Sequence, residues 1–411
     1  MAEQESIVYR LRGDKVIWTV VIMLSLISIA AVYSSSSSLA YKNDVSSVHF
    51  LLTQMRFVLF GLTALYVCYR IPLRVYRSLA YPGMILSAGL LLATAIAGKS
   101  VNEADRWINI FGISFQPSEL AKIAVVLYIA KVMELYPMEK FMEFFLRILL
   151  PVGLISVLIL NGSTSQALLM GSTVFLIIMV SSTSWKHIFK SIGLVAAAAA
   201  ILILLHLAFG ILPRLDTAYN RFKFNDSEQL VDKNLSPAEK QKILDKTHQK
   251  RMAKVAIASV GILGKGPGNS TQRYLLPHPY SDFIYTIIIE EWGFMGGALV
   301  LMLYLFFLYR CLMLARLCTK PFTMLVVTGL GLMITLQALL HMLVNVAIIP
   351  VTGHTLPLIS LGGTSLIIIS GSFGIILSVS RTIEIGRRKK RENEAEENRI
   401  ENNNTVEVIE L

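Results

Sequence analysis

Residues 264–293 read GKGPGNSTQRYLLPHPYSDFIYTIIIEEWG. A cationic, glycine-rich turn leads into a Pro-x-Pro corner, and one carboxylate, Asp282, follows where a long apolar stretch begins. Two adjacent acids, Glu290 and Glu291, lie inside that stretch. Ionisable residues inside apolar segments of spanning length are rare and generally serve a function. The segment therefore predicts a polar site at the boundary of a membrane.

The composition is typical of a polytopic membrane protein. Of the 411 residues, 54% are hydrophobic, which exceeds the apolar share of ordinary soluble domains. The formal net charge of +11 comes from basic clusters between apolar stretches and in both tails, a distribution that the positive-inside rule explains without a nucleic-acid partner. The three cysteines lack metal-ligand spacing, so neither a disulfide framework nor a zinc site is predicted.

The apolar stretches predict an all-α fold with about ten transmembrane helices, since a spanning helix needs about 20 mostly apolar residues. The clusters of Lys and Arg place both termini in the cytoplasm and a large extracytoplasmic loop, 211–281, between the seventh and eighth spans. The predicted spans are 16–34, 48–69, 78–97, 117–133, 146–161, 166–183, 187–210, 282–309, 321–346 and 361–380.

Three regions follow from these spans: a cytoplasmic tail, 1–15, a transmembrane domain, 16–380, and a second cytoplasmic tail, 381–411. The last region is charged and rich in Asn, which favours disorder. Residues 255–263, at the end of the long loop, are apolar, as expected of a segment that returns to the membrane surface.

Asp282 is the main candidate for chemistry. It is expected in the first turn of the eighth span, where the positive end of the helix dipole favours an ionised carboxylate. An ionised carboxylate at this position can act as a proton acceptor. The alternative, which the sequence supports about equally, is that Asp282 only caps the helix, because Asp is a preferred cap residue.

Basic residues and glycines near Asp282 suggest an oligoanion such as a pyrophosphate. The cations are Lys265 and Arg273 in the same segment, with Arg106 and Lys122 in and after the first outer loop. Glycines permit a close approach of the backbone, and turn amides can bind an anion. A glycine-rich turn alone is a weak signal, and most such turns have only a structural role. The three glycines are Gly264, Gly266 and Gly268.

Glu119 and Lys122 are three residues apart on a predicted helix and share one face. They either organise a polar cavity or form a purely structural ion pair. Glu290 and Glu291 point about 100° apart on a helix. Exposing both carboxylates to lipid would cost much free energy. One of them is expected to pair with Lys122, and the other with backbone or water.

The segment 350–365 contains two prolines and three glycines at membrane depth. Irregular backbone at this depth is tolerated only inside the protein or along a cavity. His341 and His354 are isolated in sequence, and a hydrogen-bonded position is a better prediction for both than a metal site.

Several motifs in this chain resemble the SEDS family (shape, elongation, division and sporulation). The resemblance extends from the first span to the end of the tenth, and within the family it is greater to division members than to elongation members. The matching motifs are Ala104-x-Arg106-Trp107, Gln116-Pro117-Ser118-Glu119-x-x-Lys122, Gly264-x-Gly266-x-Gly268, Leu276-Pro277, Asp282-Phe283-Ile284, Glu290-Glu291-x-Gly293, Pro350-x-x-Gly353-x-x-Leu356-Pro357 and Ser360-x-Gly362-Gly363-x-Ser365.

The resemblance implies an inverting glycosyltransferase that polymerises lipid II into peptidoglycan strands at the outer face of the bacterial cytoplasmic membrane. Asp282 would be the general base and undecaprenyl pyrophosphate the leaving group. A divalent cation, Mg²⁺ or Mn²⁺, is left open, and the expected partners are a class B penicillin-binding protein and other divisome proteins. The implied substrate-binding residues are Arg106, Glu119, Lys122, Lys265, Arg273, Glu290, Glu291, Ser360 and Gly363.

Two alternatives belong to other classes: a flippase that moves lipid II across the membrane, and a noncatalytic division scaffold. A flippase predicts polar groups in both leaflets, whereas the irregular motifs here cluster on the outer side. A scaffold leaves the residues around Asp282 unexplained.

The chain departs from the family pattern at four places, which puts the architecture of the pocket in doubt rather than the reaction. The Pro-Glu-x-His-Thr that usually precedes the aspartate is changed, so no role of that Glu or His carries over. The acid usually found between the fifth and sixth spans is absent, and a common Asn and a common Tyr are each replaced by His. The positions are Pro277–Ser281, Asn161–Gln166, His341 and His248.

Overall fold

The structure is a computed structural model that describes residues 12–37, 46–97, 99–101, 104–110, 113–181, 183–209, 249 and 251–409. Most of the predicted loop 211–281, including His248, lies outside the described residues, as does most of the N-terminal tail 1–15.

The described chain is built mainly of long helices. One of them, α5 (Phe141–Gly162), begins with a short α-helical segment, passes through one π-helical turn, Phe145–Leu149, and continues as an α-helix. The helices are α1 Lys15–Ser35, α2 Ser47–Arg70, α3 Leu73–Ala97, α4 Pro117–Leu135, α5 Phe141–Gly162, α6 Thr164–Val180, α7 Trp185–Phe209, α8 Ile284–Arg316, α9 Pro321–Asn345 and α10 Thr364–Ile409.

Within the described residues, seven helices are long and apolar enough to cross a membrane: α1, α2, α3, α5, α8, α9 and the first part of α10. Helix α6 is apolar but has only 17 residues, and α4 carries charged residues at both ends. The predicted total of ten spans, like the position of the large loop between the seventh and eighth, stays a prediction.

The all-α prediction omits a small sheet. Residues assigned to an outer loop form three antiparallel strands in the order β1-β2-β3, which connect α3 to α4. Apolar and polar residues alternate in Ile108-Asn109-Ile110 and in Ile113-Ser114-Phe115, a period that favours strands over helix. The strands are β1 Lys99–Val101, β2 Ala104–Ile110 and β3 Ile113–Phe115.

Glycines allow α2 and α10 to pack closely along their length. A Cβ atom on Gly374 would overlap the carbonyl of Leu65, and one on Gly61 would lie 2.6 Å from Leu366. Small residues are the usual means by which membrane helices approach each other. Helix α9 is largely enclosed by the bundle and contacts α4, α6, α8 and α10.

Asp14 fastens the start of α1 to two other helices. Its Oδ1 accepts hydrogen bonds from the amides of Val16 and Ile17, which makes it the N-cap. Its Oδ2 binds Arg310 of α8 through both Nε and Nη2, and its amide donates to Ser380 of α10. One residue therefore joins α1, α8 and α10 at the end of the bundle opposite Asp282.

We expect Asp14→Ala to lower the free energy of unfolding by about 2 kcal/mol, because the helix loses its cap and Arg310 loses its partner. Asp14→Asn keeps a capping oxygen and should cost less than the Ala variant. Denaturant titration in mixed micelles measures both. Equal stability of the wild type and Asp14→Ala would show that this junction contributes nothing.

The C-terminal tail differs from its prediction. Residues 381–411 were expected to be disordered, whereas α10 continues as a helix to Ile409. Ion pairs at four-residue spacing, Arg388 with Glu392 and Lys390 with Glu394, favour a helix in this mainly polar sequence.

Candidate active site

The sequence predicted Asp282 in the first turn of the eighth span. In the structure it lies in a turn just before α8. The helix begins at Ile284, and its N-cap is Phe283. Asp282 Oδ1 accepts a hydrogen bond from Ser281 Oγ at 3.3 Å. The displacement follows from the Pro-x-Pro corner, where His278 has a φ of +50° and its carbonyl accepts from the Asp282 amide. Asp282 is therefore one residue before the N-cap of α8.

A phenol lies beside this carboxylate. Burial, and to a lesser extent the negative charge of Asp282, raises the pKa of Tyr280 above its usual value. Its hydroxyl lies 3.0 Å from His278 Nδ1. Tyr280 thus stays neutral at physiological pH and can donate or accept a hydrogen bond near Asp282.

Ser360 was predicted to bind substrate, but in the structure its hydroxyl supports the chain around Asp282. Its Oγ donates to the Ser281 carbonyl at 2.8 Å and accepts from the Leu356 amide at 2.8 Å. Gly363, also predicted to bind substrate, has a φ of +54° and faces Phe57, so it makes the turn into α10.

The glycine-rich segment serves to dock a loop onto α8. Helix α8 is interrupted at Gly293, where φ is +70° and ψ is −170°. The amides of Lys265 and Gly266 donate to the carbonyls of Glu290 and Glu291 at this interruption, at 3.0 and 2.9 Å. The prediction that these turn amides bind an anion is wrong for these two, because helix carbonyls already accept from both.

We expect Gly293→Ala to destabilise the protein by about 1–3 kcal/mol, because its positive φ strains an L-residue. A Cβ there would also overlap the Ile262 carbonyl of the docked loop. Gly171→Ala in α6 is the matched control, since nothing lies within 4 Å of its Cβ and Ala favours a helix. Denaturant titration should separate the two variants. If both behave like the wild type, the close approach is not needed.

Glu290 is fully buried at the centre of a polar cluster. Its carboxylate forms an ion pair with Lys265 at 2.5 Å and accepts hydrogen bonds from Ser270, Thr271 and Gln272. The prediction that Lys122 pairs with one of the adjacent acids is therefore wrong. Lys265 is 25 residues away from Glu290 in sequence, and only the docked loop brings it there.

Glu291 lies on the other side of α8, as the helical angle predicts. It accepts a hydrogen bond from the Ser34 hydroxyl, at the end of α1. The Ser34 carbonyl accepts from Arg273 Nη1 at 3.1 Å, and Arg273 also contacts the ring and hydroxyl of Tyr274. Arg273 Nε is buried and has no hydrogen-bond partner among the described residues.

Glu119 and Lys122 form the ion pair predicted as one of two possibilities. The Lys122 ammonium lies 2.9 Å from Glu119 Oε1 and 2.9 Å from Gln337 Oε1 of α9. Gln166 of α6 donates to the same carboxylate and accepts from Ser118. Only 1% of Lys122 and 3% of Glu119 is exposed, so this network lies inside the bundle.

The structure divides the predicted site into separate groups. Arg106 belongs to β2, but its side chain lies outside the described residues. Sequence analysis gave no role to Gln337 and Asn345 and left His341 as a core or loop histidine. Their four-residue spacing, which places all three on one face of α9, was the available signal.

His341 occupies a hydrogen-bonded position, as predicted, while that of the His354 side chain stays a prediction. His341 Nδ1 donates to the His354 carbonyl at 2.7 Å, because a carbonyl can only accept. Among the described residues, no three His, Cys, Asp or Glu side chains are grouped closely enough to hold a metal ion.

A bundle of apolar helices with charged side chains at one end is the architecture of an integral membrane protein with a polar site at the membrane boundary. The FtsW/RodA/SpoVE family of cell cycle proteins matches residues 14–385, and this chain belongs to that family. The resemblance to the SEDS proteins is thereby confirmed.

Two relatives are similar over nearly their whole length. One is the probable peptidoglycan glycosyltransferase FtsW of Nitrosomonas europaea, 30% identical over 388 residues, or 91% of this chain and 94% of that protein. Another is the probable peptidoglycan glycosyltransferase FtsW of Bacillus subtilis, 29% identical over 90% of this chain and 91% of that protein.

Solved structures share the fold. The rod shape determining protein RodA of Thermus thermophilus has a TM-score of 0.62 at 24% identity, over 90% of this chain and 97% of that one. A chain from a peptidoglycan synthase complex that coordinates polymerization and crosslinking has a TM-score of 0.68 at 24% identity, over 90% and 98%.

Proposed function

We propose that this protein is a peptidoglycan glycosyltransferase that polymerises lipid II during cell division. The observation that carries the proposal is Asp282, a half-buried carboxylate in a turn whose backbone is held by a second segment of the bundle. Full-length relatives named as probable peptidoglycan glycosyltransferase FtsW support the reaction class and favour division over elongation.

In the proposed reaction, Asp282 removes the proton from the 4-hydroxyl of the acceptor sugar. The freed oxygen attacks the anomeric carbon of the donor with inversion, and the bond to undecaprenyl pyrophosphate breaks. The charge that develops on the leaving pyrophosphate needs cationic partners. Arg106, Lys265 and Arg273 are the proposed partners.

The described contacts suggest different roles for these cations. Lys265 is neutralised by Glu290, although 28% of its side chain is exposed. Arg273 has one buried donor, Nε, without a described partner, and is the better candidate to approach an oxygen of the substrate. Glu119, Lys122 and Glu291 are fully engaged inside the bundle, so we propose that they shape the cavity rather than bind substrate directly.

The proposed setting is the bacterial cytoplasmic membrane, with both termini cytoplasmic and Asp282 on the extracytoplasmic side. Lipid-linked substrate would enter sideways from the bilayer between helices. The similarity to a chain from a synthase complex that couples polymerization to crosslinking supports a class B penicillin-binding protein as the partner.

The decisive experiment is polymerisation of labelled lipid II by the purified full chain, with and without its cognate transpeptidase. Glycan strands in either reaction would support the proposal. If neither reaction yields product, the glycosyltransferase assignment fails, and translocation of lipid II in vesicles would then test the flippase alternative.

A further inference from the structure

One face of α9 carries three polar side chains that connect the buried ion pair to the turn before α8. Gln337 binds the Lys122 ammonium and donates to the Thr355 carbonyl at 3.2 Å. One turn later His341 binds the carbonyl of His354, the residue before Thr355, and Asn345 follows after one more turn. These residues, at four-residue spacing, all cross from α9 to irregular backbone.

Asn345 is completely buried, and its amide uses every hydrogen-bonding position it has. Nδ2 donates to the Asp282 carbonyl at 2.9 Å and to the His341 carbonyl at 2.8 Å. Oδ1 accepts from the Thr286 amide at 3.0 Å and from its hydroxyl at 2.9 Å. Because the Thr286 amide can only donate and the Asp282 carbonyl can only accept, the orientation of the Asn345 amide is determined.

The same amide therefore caps α8 and holds Asp282. Helix α8 has no side-chain cap of its own at Phe283, and Asn345 satisfies the amide of its third residue from another helix. Its second contact is with the backbone of the proposed base. A shift of the Asn345 side chain would move both the start of α8 and Asp282.

Two further donors hold the neighbouring residues. Three consecutive carbonyls, those of Tyr280, Ser281 and Asp282, each accept one hydrogen bond from the segment between Asn345 and Leu361. The donors are the Leu361 amide at 3.1 Å, Ser360 Oγ at 2.8 Å and Asn345 Nδ2 at 2.9 Å. This set of contacts orients a turn that has no regular secondary structure.

We propose that Asn345 is a positioning residue for the reaction, acting through Asp282 by setting where its carboxylate lies. The inference rests on the proposed function, in which Asp282 is the base. The side chain of Asn345 is buried behind the turn and is not assigned a contact with substrate. Its loss should therefore slow the chemical step and leave the affinity for substrate unchanged.

The test is Asn345→Leu, which keeps a similar volume and removes all four hydrogen bonds. Because misplacing a catalytic group by about 1 Å can cost about 10²-fold, we expect kcat for lipid II polymerisation to fall about 10- to 100-fold. KM should stay within about two-fold of the wild-type value, since substrate contacts are unchanged.

Thr286→Val is the matched control. It removes a hydroxyl that contacts Asn345 but leaves the Thr286 amide and the bond from Nδ2 to Asp282 in place. We expect wild-type kcat from this variant. An equal loss of kcat in both variants would overturn the inference, because the effect would then come from the packing between α8 and α9 and not from the contact with Asp282.

A double variant separates positioning from a general structural role. If Asn345 acts through Asp282, adding Asn345→Leu to Asp282→Asn should not lower the residual rate further. A further loss of the same size as in the wild-type background would overturn the inference. If Asn345→Leu does not fold, Ser360→Ala removes the neighbouring donor, and an unchanged kcat in that variant would count against the inference.

The outcomes distinguish this inference from the proposed function. If Asp282→Asn keeps wild-type activity, the assignment of the base fails, whatever Asn345→Leu does. If Asp282→Asn is inactive and Asn345→Leu has wild-type kcat, only the positioning role fails.

Discussion

Replacing Asp282 with Asn is expected to lower the rate of lipid II polymerisation about 10²- to 10⁴-fold, the usual contribution of a general base. Asn has nearly the same shape as Asp and can still accept a hydrogen bond from Ser281, but it cannot remove a proton from a sugar hydroxyl. Because Asn345 accepts from the Thr286 amide in the first turn of α8, the variant should also fold normally. Rates of glycan formation and thermal unfolding curves together measure both expectations.

Glu392→Gln is the matched control for Asp282→Asn. It makes the same isosteric change at an exposed carboxylate whose partner, Arg388, lies one turn away on α10. An exposed ion pair of this kind contributes little to the free energy of unfolding, so we expect the wild-type rate and stability from this variant. Substantial polymerisation by folded Asp282→Asn would show that another group is the base.

The largest expected loss of stability comes from Lys122→Met. The change leaves Glu119 buried with a negative charge and without its cation, and breaking a buried pair in this way costs about 3–5 kcal/mol. Gln337 also loses the donor that its Oε1 accepts from. Denaturant titration in mixed micelles measures the free energy of unfolding.

The double variant Lys122→Met with Glu119→Gln provides the control. Removing both charges avoids the uncompensated carboxylate, so much of the stability lost in Lys122→Met should return. If the single and double variants are equally unstable, the loss comes from packing around Lys122 and not from its charge. If Lys122→Met is as stable as the wild type, the pair contributes nothing to the fold.

The sequence predicted the helical bundle well because spans depend on length and apolar character, which are local properties. Helix α4 begins at Pro117, as predicted, because Pro suits the first turn of a helix. The small sheet was missed since its strands are short and lie between spans. The extension of α8 to Arg316 was missed because basic residues were taken as the end of the span.

The candidate site was predicted only in part. Asp282 was selected as a candidate because a single carboxylate next to a long apolar segment is unusual in sequence. Its contacts with Asn345 and the turn held by Ser360 were not predicted, since these residues are 63 and 78 residues further along the chain. No local pattern links residues so far apart.

By itself, the sequence determined the class of protein, the approximate position of most helices and the placement of Glu119 and Lys122 on one helix face, because i,i+3 neighbours on a helix must share a face. Only the tertiary structure decided that Glu290 pairs with Lys265 and that α9 holds the turn at Asp282. Those contacts depend on how a loop docks and how helices pack, and these result from the whole set of buried surfaces and not from any one segment.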